Sequence, residues 1–126
     1  MYTLRDISRE AAARCLRVSE NTLDSFIHRY GLGGKRRGAR VFSVRDLAEF
    51  KTARNLAGPD LSIADALAIV RQHLATEPPD GTSLIVTDDG EHWIQPDEQQ
   101  WPVRPCRIVH PGWVVQEIKE RLDVAI

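Results

Sequence analysis

The sequence has 126 residues, 42% of them apolar and 28% charged, a balance that is typical of a folded domain and argues against extensive disorder. No apolar run approaches the roughly 20 residues that span a bilayer, and the opening segment MYTLRDISRE is too charged for a secretory signal. The two cysteines fit a reducing compartment as small buried residues better than as a disulfide, so we expect a cytoplasmic protein.

Charge is divided unevenly along the chain. Residues 1–55 carry twelve Lys or Arg against six Asp or Glu, about +6, whereas residues 56–126 carry five against twelve, about −7. Such a division is expected where one end of a protein meets phosphates and the other does not. Because many proteins have a lopsided charge, this feature supports a nucleic-acid partner only together with a binding motif.

Residues 11–30, AAARCLRVSENTLDSFIHRY, predict two helices joined by a tight corner. Ala12 and Leu16 share one face of the first helix, and apolar residues at three- and four-residue spacing give the second a buried stripe, namely Leu23, Phe26, Ile27 and Tyr30. The segment 17–19 is long enough only for a turn, in which Ser19 caps the second helix. This spacing is that of a helix-turn-helix, which binds duplex DNA; the alternative is a pair of surface helices in a bundle.

A basic, glycine-rich loop, GLGGKRRGARVF, follows the second helix and returns as a short strand at residues 40–42. Ser43 then caps a third helix over VRDLAEFKTARNL, in which Leu47 and Phe50 are expected to cover the core of the first two helices. Gly58-Pro59 stops that helix. The sequence therefore predicts an N-terminal domain over residues 1–57.

Residues 58–126 predict a second, acidic module. Ser62 caps a helix over IADALAIVRQHLA, and strands follow at residues 84–86, 91–94 and 106–109, with a strong turn signal at Asp88-Asp89-Gly90. Pro111 opens a closing helix that places Val114, Ile118 and Leu122 on one side, with Val115 beside them. The predicted fold class is α+β, an N-terminal winged helix-turn-helix followed by a small α/β module of one helix, two or three antiparallel strands and one helix.

Residues 1 to about 55 resemble the winged helix-turn-helix of the MerR-like and phage-excisionase group. The matching pieces are YTL at the start, AAARCLRVSENTL for the helix-turn-helix, RYGLGG leading into the wing, and GARVFSVRDLAEF for the return strand and the helix after it. The resemblance implies DNA binding through the second helix and the wing. It does not extend to the promoter-twisting mechanism of metal- or drug-sensing members, because the long dimerising helix that follows their DNA-binding domain is missing.

The second helix is expected to enter the major groove with the face opposite Leu23 and Ile27. Candidate base or phosphate contacts on that face are Asn21, Thr22, Ser25, His28 and Arg29. Asn21 can pair with adenine in a bidentate manner, and Arg29 with guanine or a phosphate. Glu20 and Asp24 would repel phosphate unless they accept from cytosine or pair with Arg14 or Arg17, and a merely solvated role is equally compatible with their positions.

The predicted wing supplies a second set of contacts. Cations of the wing and its flanks that we expect to reach phosphates or the minor groove are Arg17, Lys35, Arg36, Arg37 and Arg40. The alternative is that this charge run forms a solvated loop. In the acidic module, aromatic anchors for a dimer or partner interface are Trp93, Trp101 and Trp113, although each can equally belong to the core of a small domain.

Catalysis finds little support in the sequence. Asp88, Asp89, Glu91 and His92 form a carboxylate-rich stretch that turn chemistry explains without a metal. Cys106 and His110 lack the further ligands of a zinc site, and no phosphate-binding loop or activated nucleophile is present. We therefore expect no enzyme activity, metal or cofactor.

The function expected from these features is sequence-specific binding of double-stranded DNA by a regulator, a homodimeric repressor of a prokaryotic or phage-type promoter that dimerises through residues 58–126. Such a protein is cytoplasmic and associates with the nucleoid when bound to DNA. One alternative is an excisionase-like factor that bends DNA for a site-specific recombinase. Another is an antitoxin or antiactivator whose C-terminal module binds a partner protein.

Overall fold

The computed structural model describes residues 6–125 and, within them, all side chains except those of Arg36 and residues 123–125. This part of the chain is mixed α+β, with five helices and two small antiparallel sheets. The elements in chain order are α1 (Arg9–Leu16), α2 (Glu20–Tyr30), β1 (Gly34–Arg36), β2 (Ala39–Val41), α3 (Val44–Leu56), α4 (Ile63–His73), β3 (Thr82–Thr87), β4 (His92–Pro96), β5 (Cys106–Val109) and α5 (Pro111–Ala125). The expected α+β class is confirmed.

The turn between α1 and α2 has the three residues expected from the sequence. Arg17 ends α1 in the left-handed conformation, with φ 55°, and its amide donates to the Ala13 and Arg14 carbonyls. Half-buried Val18 packs against the core, and the Ser19 hydroxyl accepts a hydrogen bond from the Thr22 amide at 3.1 Å. That bond satisfies one of the free N–H groups of the first turn of α2, so α2 begins at Glu20.

Strands β1 and β2 form a hairpin with a two-residue turn at its tip. Lys35 lies opposite Arg40 and Arg36 opposite Ala39, which leaves Arg37 and Gly38 as the turn, both with positive φ (52° and 81°). Positive φ at both central residues is the geometry that matches the twist of a tight hairpin. Beyond β2, Phe42 pairs with Ile7 and ties the hairpin to the segment before α1.

Helix α3 lies at the centre of the molecule. Ser43 and Asp46 form a capping box: the Asp46 amide donates to the Ser43 hydroxyl at 3.0 Å, and the Ser43 amide donates to the Asp46 carboxylate at 2.9 Å. Its buried residues lie on several sides of the helix, because α1, α4 and α5 all pack against it. The bounds agree with those expected from the sequence.

The second sheet has the strand order β4-β3-β5, and both pairings are antiparallel. The central strand β3 is buried from Ser83 to Thr87. Helix α5 begins at Pro111, as expected, and its buried residues are Val114, Val115, Ile118 and Leu122. The expected helix, strands and helix are therefore present, with three strands.

One hydrophobic cluster runs through both halves of the chain, from Ile7 to Leu122. The predicted division into residues 1–57 and 58–126 stays a prediction about domain organisation.

Candidate nucleic-acid interface

Helix α2 presents one polar, exposed face. Leu23 is buried, Phe26, Ile27 and Tyr30 pack partly against the core, and the remaining side chains point to solvent. The exposed set includes all five residues expected to contact DNA, namely Asn21, Thr22, Ser25, His28 and Arg29. Within the described chain, no other segment covers this face.

Two of these residues use their hydroxyl groups within the helix. Ser19 donates its hydroxyl proton to the Thr22 hydroxyl at 3.0 Å, and Ser25 donates to the Asn21 carbonyl at 3.3 Å. The side-chain amide of Asn21, by contrast, makes no hydrogen bond in the described part of the chain. The two N–H donors and the oxygen of this side chain are therefore exposed to solvent near the start of α2.

Of the two acidic residues of α2 that the sequence singled out, Asp24 has an ion-pair partner other than those suggested. Asp24 forms an ion pair with Arg9, not with Arg14 or Arg17, because Arg14 is bonded to Glu10 one turn earlier on α1 at 2.6 Å. The Asp24 charge is therefore compensated by the first residue of α1, and the pair joins α1 to α2. Glu20 is exposed in the first turn of α2, where a negative charge favours the helix dipole.

Several cations near α2 and in the hairpin lack carboxylate partners. Many cations elsewhere are paired within the protein: Lys51 with Glu117, Arg104 with Asp89 and Glu91, Lys119 with Glu77, and Arg121 with Glu117. Outside this region, Arg54, Arg71 and Arg107 are also in no ion pair with a carboxylate among the described side chains. Among the described side chains, no carboxylate lies within ion-pair distance of a second set, Arg17, Arg29, Lys35, Arg37 and Arg40. All five are cations that the sequence predicted to meet DNA. The Arg36 side chain lies outside the described residues.

The hairpin also places like charges side by side. Lys35 and Arg40 are direct cross-strand partners in an isolated two-stranded sheet, and Arg37 at the tip is exposed. Directly opposed like charges destabilise a strand pair, so this arrangement does not serve the stability of the hairpin. It does concentrate positive charge on a hairpin that only three residues separate from the end of α2.

An aromatic cluster supports α2 from beneath, and it is made of residues that the sequence assigned to the buried side of α2 and to the covering face of α3. The Phe50 ring of α3 is fully buried and lies 4.7 Å from the Phe26 ring and 5.6 Å from the Tyr30 ring, measured between centroids. The Arg54 guanidinium sits 5.0 Å above the Phe26 ring. The signal that locates Phe50 is its spacing in α3, but nothing local to Arg54 predicts its aromatic partner.

The three tryptophans of the acidic half occupy different environments. Trp113 is 66% exposed and stacks on His110, with ring centroids 4.7 Å apart, and Trp101 is 50% exposed. Trp93 is only half-buried in β4, and its indole N–H donates to the Gln95 side chain at 2.8 Å. None of the three belongs to the buried core, which leaves their predicted interface role open.

The carboxylate-rich turn after β3 is held by the protein itself. Arg104 binds both Asp89 and Glu91, and the Thr87 hydroxyl donates to Asp89 and thereby lowers the pKa of that carboxyl, with a smaller contribution from Arg104. Among the side chains that the structure describes, no three His, Cys, Asp or Glu are grouped as a metal site would require. The turn chemistry expected from Asp-Asp-Gly accounts for these groups.

Comparison with protein-family models, with curated proteins and with solved structures finds no match for this chain. Among the described helices, none combines the length and the apolar character that crossing a membrane requires.

Proposed function

We propose that this protein is a sequence-specific regulator that binds double-stranded DNA through a winged helix-turn-helix, as the resemblance of its first 55 residues to MerR-like and excisionase proteins implies. The observation that carries the proposal is the unpaired cation set beside the open face of α2. Cations without internal partners, two of them directly opposed, lower the stability of the hairpin unless an external anion neutralises them. The phosphate backbone of DNA is such an anion.

In this proposal α2 lies in the major groove and the hairpin follows the adjacent backbone. Asn21, with its free amide near the start of α2, reads an adenine edge, and Arg29 binds guanine or a phosphate. Lys35, Arg37 and Arg40 bind phosphates or the minor groove and contribute affinity without much base preference. The Arg9–Asp24 pair removes the repulsion that Asp24 would otherwise exert on the DNA.

The salt dependence of DNA binding tests the role of the hairpin. We expect Lys35→Gln with Arg37→Gln to weaken binding to all duplexes similarly and to reduce the slope of log affinity against log salt by about two, since two phosphate contacts are lost. The measurement is fluorescence anisotropy at several salt concentrations, with a duplex selected by the wild-type protein from a random pool and with an unrelated duplex.

Arg104→Gln with Lys119→Gln is the matched control, because it removes the same charge from cations that already have carboxylate partners. This control is expected to keep the wild-type slope. Equal slopes for both double variants and the wild type would remove the hairpin from the interface, and failure to select any duplex would remove DNA binding altogether.

A single helix-turn-helix reads few base pairs, so we also propose that two copies associate through residues 58–126. The exposed Trp113 is the expected anchor, since a large, rigid aromatic side chain dominates many interfaces. Trp113→Ala is expected to weaken self-association roughly tenfold or more in sedimentation equilibrium, whereas Gln116→Ala, exposed on the same helix, leaves it unchanged. A monomeric wild-type chain at high concentration, or no effect of Trp113→Ala, would contradict this interface.

A further inference from the structure

A groove of about 590 Å³ lies on the acidic half of the molecule, away from α2 and the hairpin. It is bounded by the turn after α3, by α4, and by the ends of β3 and β5, with walls that include Leu61, Ile69, Val86 and Arg107. Its volume falls within the range of small-molecule sites, roughly 300–1,000 Å³. Apolar walls with a few polar groups are also the composition that such sites commonly have; here the charged groups are the Arg107 cation and the exposed Asp60 and Asp88 carboxylates.

Arg107 is the polar group that distinguishes this groove. It is half-buried on β5 beside its cross-strand partner Val86, and its guanidinium makes no hydrogen bond or ion pair in the described part of the chain. The guanidinium lies against Gly58, where a Cβ atom would overlap it. A half-buried guanidinium with five unused donors is costly to desolvate, and a carboxylate ligand would satisfy it in a bidentate manner.

The remaining walls define the rest of the ligand. Leu61 and Ile69 are partly exposed and Val86 is buried, so an apolar body has surface to cover. Asp60 and Asp88 are exposed lining residues, and they would repel a second negative charge. The groove therefore favours a molecule with one carboxylate and a flat or branched apolar body.

We propose that this groove is a binding site for a small amphipathic monocarboxylate, with the carboxylate on Arg107 and the apolar body against Leu61, Ile69 and Val86. This site is independent of the DNA interface, so either proposal can fail without the other. Cys106 also lines the groove and is half-buried, whereas Cys15 is fully buried. A ligand bound in the groove therefore shields the Cys106 thiol, and this protection can be measured as slower alkylation.

The test uses indole-3-acetate and its neutral isostere indole-3-acetamide as probes with the full chain. We expect saturable binding of the acetate in ¹H–¹⁵N spectra, with shifts centred on Leu61, Ile69, Val86 and Arg107. The affinity for the acetamide is expected to be at least about tenfold lower than for the acetate, because a neutral amide cannot form the charge-assisted hydrogen bonds to Arg107. The acetate is also expected to slow alkylation of Cys106 by iodoacetamide.

Two variants test the contribution of the Arg107 guanidinium. Arg107→Gln is expected to lower the affinity for the acetate to that for the acetamide. Gly58→Ala is expected to have the same effect, because the added Cβ displaces the guanidinium, and the flexible end of the arginine side chain can accommodate this shift. Arg14→Gln, which removes an exposed charge on α1, is the control and is expected to bind like the wild type. Equal binding of acetate and amide, shifts centred elsewhere, or no binding by the folded wild type would overturn the proposal.

Discussion

Two glycines that follow α2 adopt the left-handed backbone for different reasons. Gly31, with φ 68°, ends α2 in open space, and its amide donates to the Ile27 carbonyl. Gly33, with φ 81°, lies against the base of the hairpin: a Cβ there would come within 2.8 Å of the Phe42 ring and 2.9 Å of the Val41 carbonyl oxygen. Only Gly33 is therefore needed for close packing as well as for backbone conformation.

We expect Gly31→Ala to lower the free energy of unfolding by about 1–2 kcal/mol, the cost of a left-handed alanine, and Gly33→Ala to lower it by roughly 2–4 kcal/mol. The excess arises because the Val41 carbonyl is backbone and cannot move aside without shifting β2. Urea denaturation followed by circular dichroism measures both values. Equal losses for the two variants would mean that the hairpin relaxes freely around residue 33.

At the level of elements, two histidines connect the end of α4 to the start of β4. His73 Nε2 and His92 Nδ1 are 2.7 Å apart, and the two rings meet edge to face. At that distance one ring donates and the other accepts, so at least one imidazole is neutral. Burial, and next the charge of His92, lower the pKa of His73 below its usual range.

A group whose pKa is lowered on folding stabilises the folded state above its unfolded pKa, about 6.5 for histidine, and loses that contribution as the pH falls through the folded pKa. We therefore expect the unfolding temperature to fall between pH 7 and pH 5, and to fall less in His73→Gln. His28→Gln, at an exposed position of α2, is the control and should keep the wild-type slope. Identical pH profiles for wild type and His73→Gln would contradict this role of the pair.

The elements themselves were largely predictable because their signals are local. Ser43 marks the start of α3 and Pro111 marks the start of α5, so both helices were placed correctly from sequence. The partners of these elements were not predictable, since the Arg9–Asp24 pair and the overlap of Arg107 with Gly58 depend on how distant segments pack. For the same reason, the candidate DNA-contacting residues of α2 could be proposed from spacing, whereas the groove at Arg107 could not.

On the scale of the whole molecule, the C-terminal helix connects the two halves. Arg121 of α5 donates to the Cys15 carbonyl near the end of α1 at 2.6 Å, and Glu117 pairs with Lys51 of α3 at 3.2 Å. Ile118, fully buried between these contacts, belongs to the same hydrophobic cluster as α1 and α3. Helices α4 and α5 thus cover surfaces of α3 that would otherwise face water.

A fragment ending at residue 57 is therefore expected to be largely unfolded, although it contains the whole candidate DNA interface. Chains of this length bury only about 60% of their surface on folding and are marginal even with an intact core. The measurements are circular dichroism and amide dispersion of the fragment, beside calorimetry of the full chain, which should unfold in one transition with equal calorimetric and van't Hoff enthalpies. A folded, DNA-binding fragment, or two separate transitions in the full chain, would show instead that residues 1–57 fold on their own and that α5 only docks against them.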